Sequence, residues 1–299
     1  MSGLVRRAGG DHARLGAGDL QAGGRTAAPA TSMYSLAGKA LLDGITLDYG
    51  PVDLLGRFFL AADNAARERG VTLSFGTVDD LVRINKQHSD SWRPLLPIFD
   101  PIHGGLNDDN VFAIIGRNAA GDVVATQAAR LYNWVDTNFA AEAANLRLFY
   151  PDPVRQKLAR ERIEIATPVA ELVTGRVCYS GGVWFRPDHR GRLLTTVLPR
   201  ISRAFAFTRW FTDVTTTIMA EKIAESGVAS RCGYTEINWD LTLLETRTGT
   251  VRCALLTMRT AEMLEDLRTF LEEISPQVDR RIDDRAVEQP RAAANASRG

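Results

Sequence analysis

Apolar residues recur at helical spacing through Leu54, Leu55, Phe58, Phe59, Ala62 and Ala65, and Gly70 follows as a stop. Positions three and four apart share one side of a helix, so this stretch predicts an amphipathic helix with that side turned inward. Residues 71–75 alternate like a short strand. Thr77 then stands ahead of Val78, Leu81, Val82 and Asn85, with Asp79 and Asp80 in the first turn. A threonine oxygen can accept from the open N–H groups of a helix start, and acids are favoured at its positive end, so a second helix is expected there. Pro94 and Pro97 end helical character, and residues 100–110 read as a loop.

A hairpin follows, with strands at 111–115 and 123–129 around the Asn118, Gly121 and Asp122 turn. Residues 137–149 look helical, anchored by Leu146, Leu148 and Phe149, while 150–175 hold neither period. The clearest strand runs from 177 to 185. Helical spacing resumes after Gly191 at Leu194, Val197, Leu198, Ile201 and Phe205. Pro199 falls inside that run, where it either lies near the helix start or kinks the helix. A strand at 214–218 and a helix through Met219, Ile223 and Ala224 come next, the helix weakened at Gly227. Strands at 236–244 and 251–257, joined by a turn at Thr248 and Gly249, precede a final helix carrying Met263, Leu264, Leu267, Leu271 and Ile274. The mixture is an α/β (α+β) pattern without an internal repeat.

Composition sets the borders. Residues 1–40 are rich in Gly, Ala and Arg, and 276–299 are charged and then Ala-rich, so both are expected to be flexible tails around a folded stretch of 41–275. Lys plus Arg number 36 and Asp plus Glu number 36. That balance gives no bulk attraction to nucleic acid or to an anionic membrane, and it leaves self-association into a homo-oligomer open. Cys178, Cys232 and Cys253 are scattered, which fits buried thiols in a reducing compartment better than a disulfide or metal framework. The four histidines show no metal-binding spacing. Arg6 and Arg7 are followed by no apolar run, and no stretch approaches a membrane span, so the cytoplasm is the expected location.

Chemistry concentrates in residues 181–194, where a strand runs into Pro187, Asp188, His189, Arg190 and Gly191, and then into an apolar helix. Open N–H groups at such a strand-to-helix turn suit an anion, and Arg190 and Arg192 add full positive charge. Arg186 joins them if the pleat turns it that way. His189 reads as a surface residue of this turn, and Trp184, Trp210 and Trp239 as packing.

The Pro-x-x-Arg-Gly turn, together with Cys232-Gly233-Tyr234 before a two-stranded hairpin, resembles the GNAT superfamily of N-acetyltransferases. The order of elements is similar over residues 72–258. The resemblance implies a mixed, mainly antiparallel sheet flanked by helices, with acetyl-CoA or another acyl-CoA as co-substrate. It places the pyrophosphate at Arg190, Gly191, Arg192, Leu193, Leu194 and Thr195, and an oxyanion donor on the backbone between Val183 and Phe185. It implies direct attack by an amine, from a small molecule or a peptide, with no nucleic acid or membrane partner. The sequence departs from the family pattern at Leu193 and Thr195, where glycine or alanine is usual, and at Ala229, where many members carry a proton-donating tyrosine. Tyr234 and Tyr179 are the substitute candidates for that acid, and Glu164 and Glu236 are candidate bases by chemistry alone. Leu193 lies beside the apolar face of its helix, so a core anchor is expected there. Two rival readings follow from the departures. One is a regulatory module without chemistry. The other is a long-chain acyl-transferring synthase in which an insertion at about 130–176 forms a lid or acceptor pocket.

Overall fold

The structure is a computed structural model, and it describes residues 35–274. The tails expected at either end lie outside the described residues for 1–34 and 275–299. Gly38 donates to the carbonyl of Phe75, and Phe75 donates to that of Lys39, at 2.9 Å each. Leu41 is fully buried.

Eight strands form one sheet. They are β1 (Thr72–Gly76), β2 (Val111–Arg117), β3 (Val123–Trp134), β4 (Arg162–Ile165), β5 (Gly175–Phe185), β6 (Val214–Ala220), β7 (Glu236–Thr246) and β8 (Gly249–Arg259). Their order across the sheet is β1-β2-β3-β5-β6-β8-β7-β4. Every neighbouring pair is antiparallel except β5 with β6. The mixed, mainly antiparallel sheet flanked by helices is therefore the observed architecture.

Four longer helices flank it: α1 (Val52–Glu68), α2 (Val78–Gln87), α3 (Leu194–Trp210) and α4 (residues 260–274). Thr77 caps α2 as expected, accepting from the Asp80 amide while the Asp80 carboxylate accepts from the Thr77 amide. One apolar cluster joins α1, α3 and α4 to one face of the sheet, and Phe205 of α3 meets Phe75 and Phe112 at ring distances of 4.7 and 4.8 Å. A second cluster joins α2, the loop after it and residues of the 135–174 insertion to the opposite face. Cys178, Cys232 and Cys253 are all free and buried. Among the described residues no helix is long and apolar enough to cross a membrane.

Two expectations need correction, and two open points close. The helix expected over 137–149 is only Phe139–Ala144, because the chain turns left-handed at Leu146 (φ 58°) and the Tyr132 hydroxyl holds the Leu148 carbonyl at 2.6 Å. Leu146, Leu148 and Phe149 are buried as anchors, though outside any helix. Met219 belongs to β6, opposite Ala254, and the helix after it is only Glu221–Glu225. Strand pairing there outweighs the local helical period. The unassigned stretch 150–175 contributes the short edge strand β4, paired with β7. Pro199 lies within a continuous α3, in its second turn.

Candidate active site

The sheet opens at its middle. Strands β5 and β6 run in parallel only where Val177, Cys178 and Tyr179 face Val214, Thr215 and Thr216. Beyond that point β5 stays on β3 and β6 stays on β8. A gap is left between residues 180–185 and 217–220. Tyr179 sits at its base, its hydroxyl accepting from the Ile218 amide at 3.4 Å.

β5 bulges beside this gap. Gly181 faces Ala128 and Trp184 faces Thr126, so Gly182 and Val183 together oppose Gln127. Gly182 has φ +60°, and a Cβ there would lie 3.0 Å from the Ala128 Cβ and 3.2 Å from Leu81 Cδ2. Only glycine fits both the dihedral and the space. Thr126 Oγ1 donates to the Gly182 carbonyl at 2.8 Å. The buried Gln127 amide donates to Ser180 Oγ at 2.9 Å and to the Gly181 carbonyl at 3.3 Å. The bulge is thus fixed by side chains of β3. Val183 is half-exposed on it, and Phe185 is buried just beyond.

The turn from β5 into α3 divides its arginines by role. Arg186 is folded back onto Asp188 (2.7 Å) and Asp122 (3.2 Å), so it does not join the anion site. Arg190 donates from Nε to the Phe185 carbonyl and from Nη2 to the Ser91 carbonyl, each at 3.2 Å. It clamps the loop after α2 onto the end of β5. Arg192 is exposed and has no carboxylate or hydrogen-bond partner among the described residues. His189 is buried rather than a surface residue, with Nδ1 3.0 Å from Asp188 Oδ1. Hydrogen bonds from Arg186, and then the close His189 ring, hold the Asp188 carboxyl well below the usual range.

Gly191 and Leu193 both take positive φ, 78° and 58°. Leu193 is 54% exposed, so it is not the expected core anchor; Leu194 begins the buried face instead. Among the described residues, the backbone N–H groups of residues 191–195 have no acceptor in the protein. Five open donors at a left-handed turn before a 17-residue helix can enclose a phosphate oxygen.

Tyr234 lies beneath α3 in the apolar cluster, with the Arg203 guanidinium 5.0 Å from its ring centre. Its hydroxyl is buried without a hydrogen-bond partner. Burial, opposed by Arg203, pushes that hydroxyl up to about 12, so it stays protonated at neutral pH. Glu164 lies on the edge strand β4, exposed and 3.5 Å from Arg162. Glu236 is exposed at the start of β7. The fold brings neither to the gap between β5 and β6.

On the face opposite α3 lies a cavity of about 290 Å³. Its walls come from α2 and the following loop (Asn85, Lys86, Trp92, Leu95, Leu96, Asp100), the insertion (Leu146, Phe149, Tyr150, Glu161, Arg162) and the β7–β8 hairpin (Leu243, Arg247). The length of the insertion was the one sequence signal for this cavity.

No protein-family model and no curated protein sequence matches the chain. Solved structures do. A mutant spermidine N-acetyltransferase SpeG from Vibrio cholerae is similar at 11% identity and TM-score 0.37, over 65% of this chain and 96% of its own. The acetyltransferase AAC(6')-Ib, bound to paromomycin and acetyl-CoA, is similar at 14% identity and TM-score 0.37, over 64% and 95%. An uncharacterised protein from Bacillus halodurans is similar at 14% identity and TM-score 0.40, over 68% and 92%.

Proposed function

We propose that the chain is an N-acyltransferase that moves an acetyl or other acyl group from coenzyme A to an amine. One observation carries this reading: a parallel strand pair that parts after three residues, beside a helix that opens with five unpartnered N–H groups. In this reading the N–H groups of 191–195 and the Arg192 guanidinium hold the pyrophosphate. Arg190 positions that turn from behind. The thioester lies in the gap against β5.

A neutral amine enters the gap and its nitrogen lone pair attacks the acyl carbon. A C–N bond forms, and negative charge moves to the carbonyl oxygen. A backbone N–H between Val183 and Phe185 stabilises that oxyanion, and the bulge keeps the donor in place before the charge develops. The C–S bond then breaks, and the electron pair leaves on sulfur. Solvent supplies the proton to that thiolate, since the Tyr234 hydroxyl is buried in the apolar cluster away from water. The amine proton passes to water. A reducing, cytoplasmic setting agrees with the three free thiols.

The test is calorimetry with acetyl-CoA, combined with thiol release on adding amines. Arg192→Ala should weaken acetyl-CoA binding roughly 10- to 100-fold, the worth of a charge-assisted contact, with the melting curve unchanged. Arg190→Ala should instead lower thermal stability, because it frees two carbonyls and a loop. Equal affinity in wild type and Arg192→Ala would remove the pyrophosphate site. Tight acetyl-CoA binding with no thiol release to any amine would favour a module without chemistry.

A further inference from the structure

We infer that the cavity on the face opposite α3 takes an apolar α-amino acid as acyl acceptor, an inference that rests on the acyltransferase reading. Its interior is apolar and aromatic, formed by Trp92, Leu95, Leu96, Leu146, Phe149 and Leu243. About 290 Å³ is near the lower end of small-molecule sites, roughly 300–1,000 Å³, so the occupant is small. The cavity meets β5 next to the bulge, where Trp92 of its lining stacks on Trp184 at 5.6 Å.

Charge decides which small molecule fits. Lys86, Arg162 and Arg247 all line the cavity. Among the described residues Lys86 and Arg247 have no carboxylate within ion-pair distance, and Arg162 has only the exposed Glu164 at 3.5 Å. Of the two carboxylates in the lining, Glu161 is committed. Its oxygens accept from the Tyr150 hydroxyl at 2.9 and 3.1 Å and from the Leu158 amide at 3.0 Å. Asp100 spends one oxygen on the Ile102 amide at 3.1 Å and keeps the other open. The site therefore offers an apolar interior, an excess of cations and one available carboxylate oxygen. A polycationic amine would meet that excess charge and no apolar complement of its own. An apolar α-amino acid matches each part: side chain inside, carboxylate at Lys86 and Arg247, ammonium at Asp100 before it gives up its proton.

The experiment titrates the full chain with L-phenylalanine, phenethylamine and spermidine by calorimetry, without coenzyme A. Phenylalanine should bind, and phenethylamine, which lacks the carboxylate, should bind roughly 10- to 100-fold more weakly. The double variant Lys86→Gln/Arg247→Gln should lose that difference while leaving phenethylamine unchanged. Phenylalanine binding no tighter than phenethylamine or spermidine overturns the inference. So does a double variant that weakens all three ligands alike. Thiol release from acetyl-CoA is measured separately with the same amines. Its absence, with phenylalanine binding as described, would count against transfer and leave the cavity assignment standing.

Discussion

Leu193 carries a side chain where the backbone turns left-handed, at a cost of about 1–2 kcal/mol for any residue with a Cβ. The side chain is mostly in solvent, so truncating it opens no cavity. Leu193→Gly should therefore hold stability level or raise it by about 1 kcal/mol, after the larger unfolded-state entropy of glycine is counted. Denaturant melts read this directly, and a loss of 2–5 kcal/mol would restore the core-anchor role. Tyr234→Phe separates chemistry from packing in the same way. Its hydroxyl is buried with no partner to lose, so the melting temperature should stay level or rise and kcat should hold, whereas a fall of about 100-fold would make the phenol the proton donor. The Pro-x-x-Arg-Gly turn could be read from the sequence, including the glycine-like place of Leu193. What could not be read is which arginine faces out. That depends on the Ser91 carbonyl, far away in the chain, which takes Arg190 and leaves Arg192 open.

At the scale of elements, strands β1 to β3 and β5, and helices α1 to α3, followed from period and capping. In each, the local preference and the tertiary packing agree. The failures cluster in the insertion and at the end of β6. There, Leu146, Leu148 and Phe149 supply apolar surface without a helix to order it, and Met219 follows its neighbour β8. The bulge in β5 was also hidden, although its cause lies in residues visible beforehand: two adjacent glycines in a strand. Gly182→Ala meets both a positive φ and two contacts of 3.0 and 3.2 Å. It should cost about 1–3 kcal/mol in a thermal melt and slow thiol release more than it weakens acetyl-CoA binding. An alanine variant as stable and active as the parent would show that the bulge has no part in the reaction.

For the whole molecule, the two apolar clusters on opposite faces of the sheet account for the buried interior of residues 35–274. The terminal segments are short of large apolar residues by composition. Removing residues 1–34 and 275–299 should leave the thermal midpoint within about 2–4 °C, the shift expected of 1 kcal/mol at this size. A collapsed transition would assign one of the ends to the core. The mixed, mainly antiparallel character of the sheet was legible through the resemblance, whereas its strand order, with β4 paired at the far edge on β7, was not. Nor was the cavity, since its walls come from three separate stretches that meet only after folding.

In the proposed reading the thioester lies in the gap between β5 and β6 beside α3, and the amine comes from the cavity on the opposite face of the sheet. Neither has to depart before the other arrives. Steady-state rates measured against both substrates should then give intersecting double-reciprocal lines, with no acylated enzyme to trap between half-reactions. Free coenzyme A should compete with the thioester but not with the amine. Parallel lines would mean that the acyl group rests on the protein, and that the opening in the sheet is not the path of transfer.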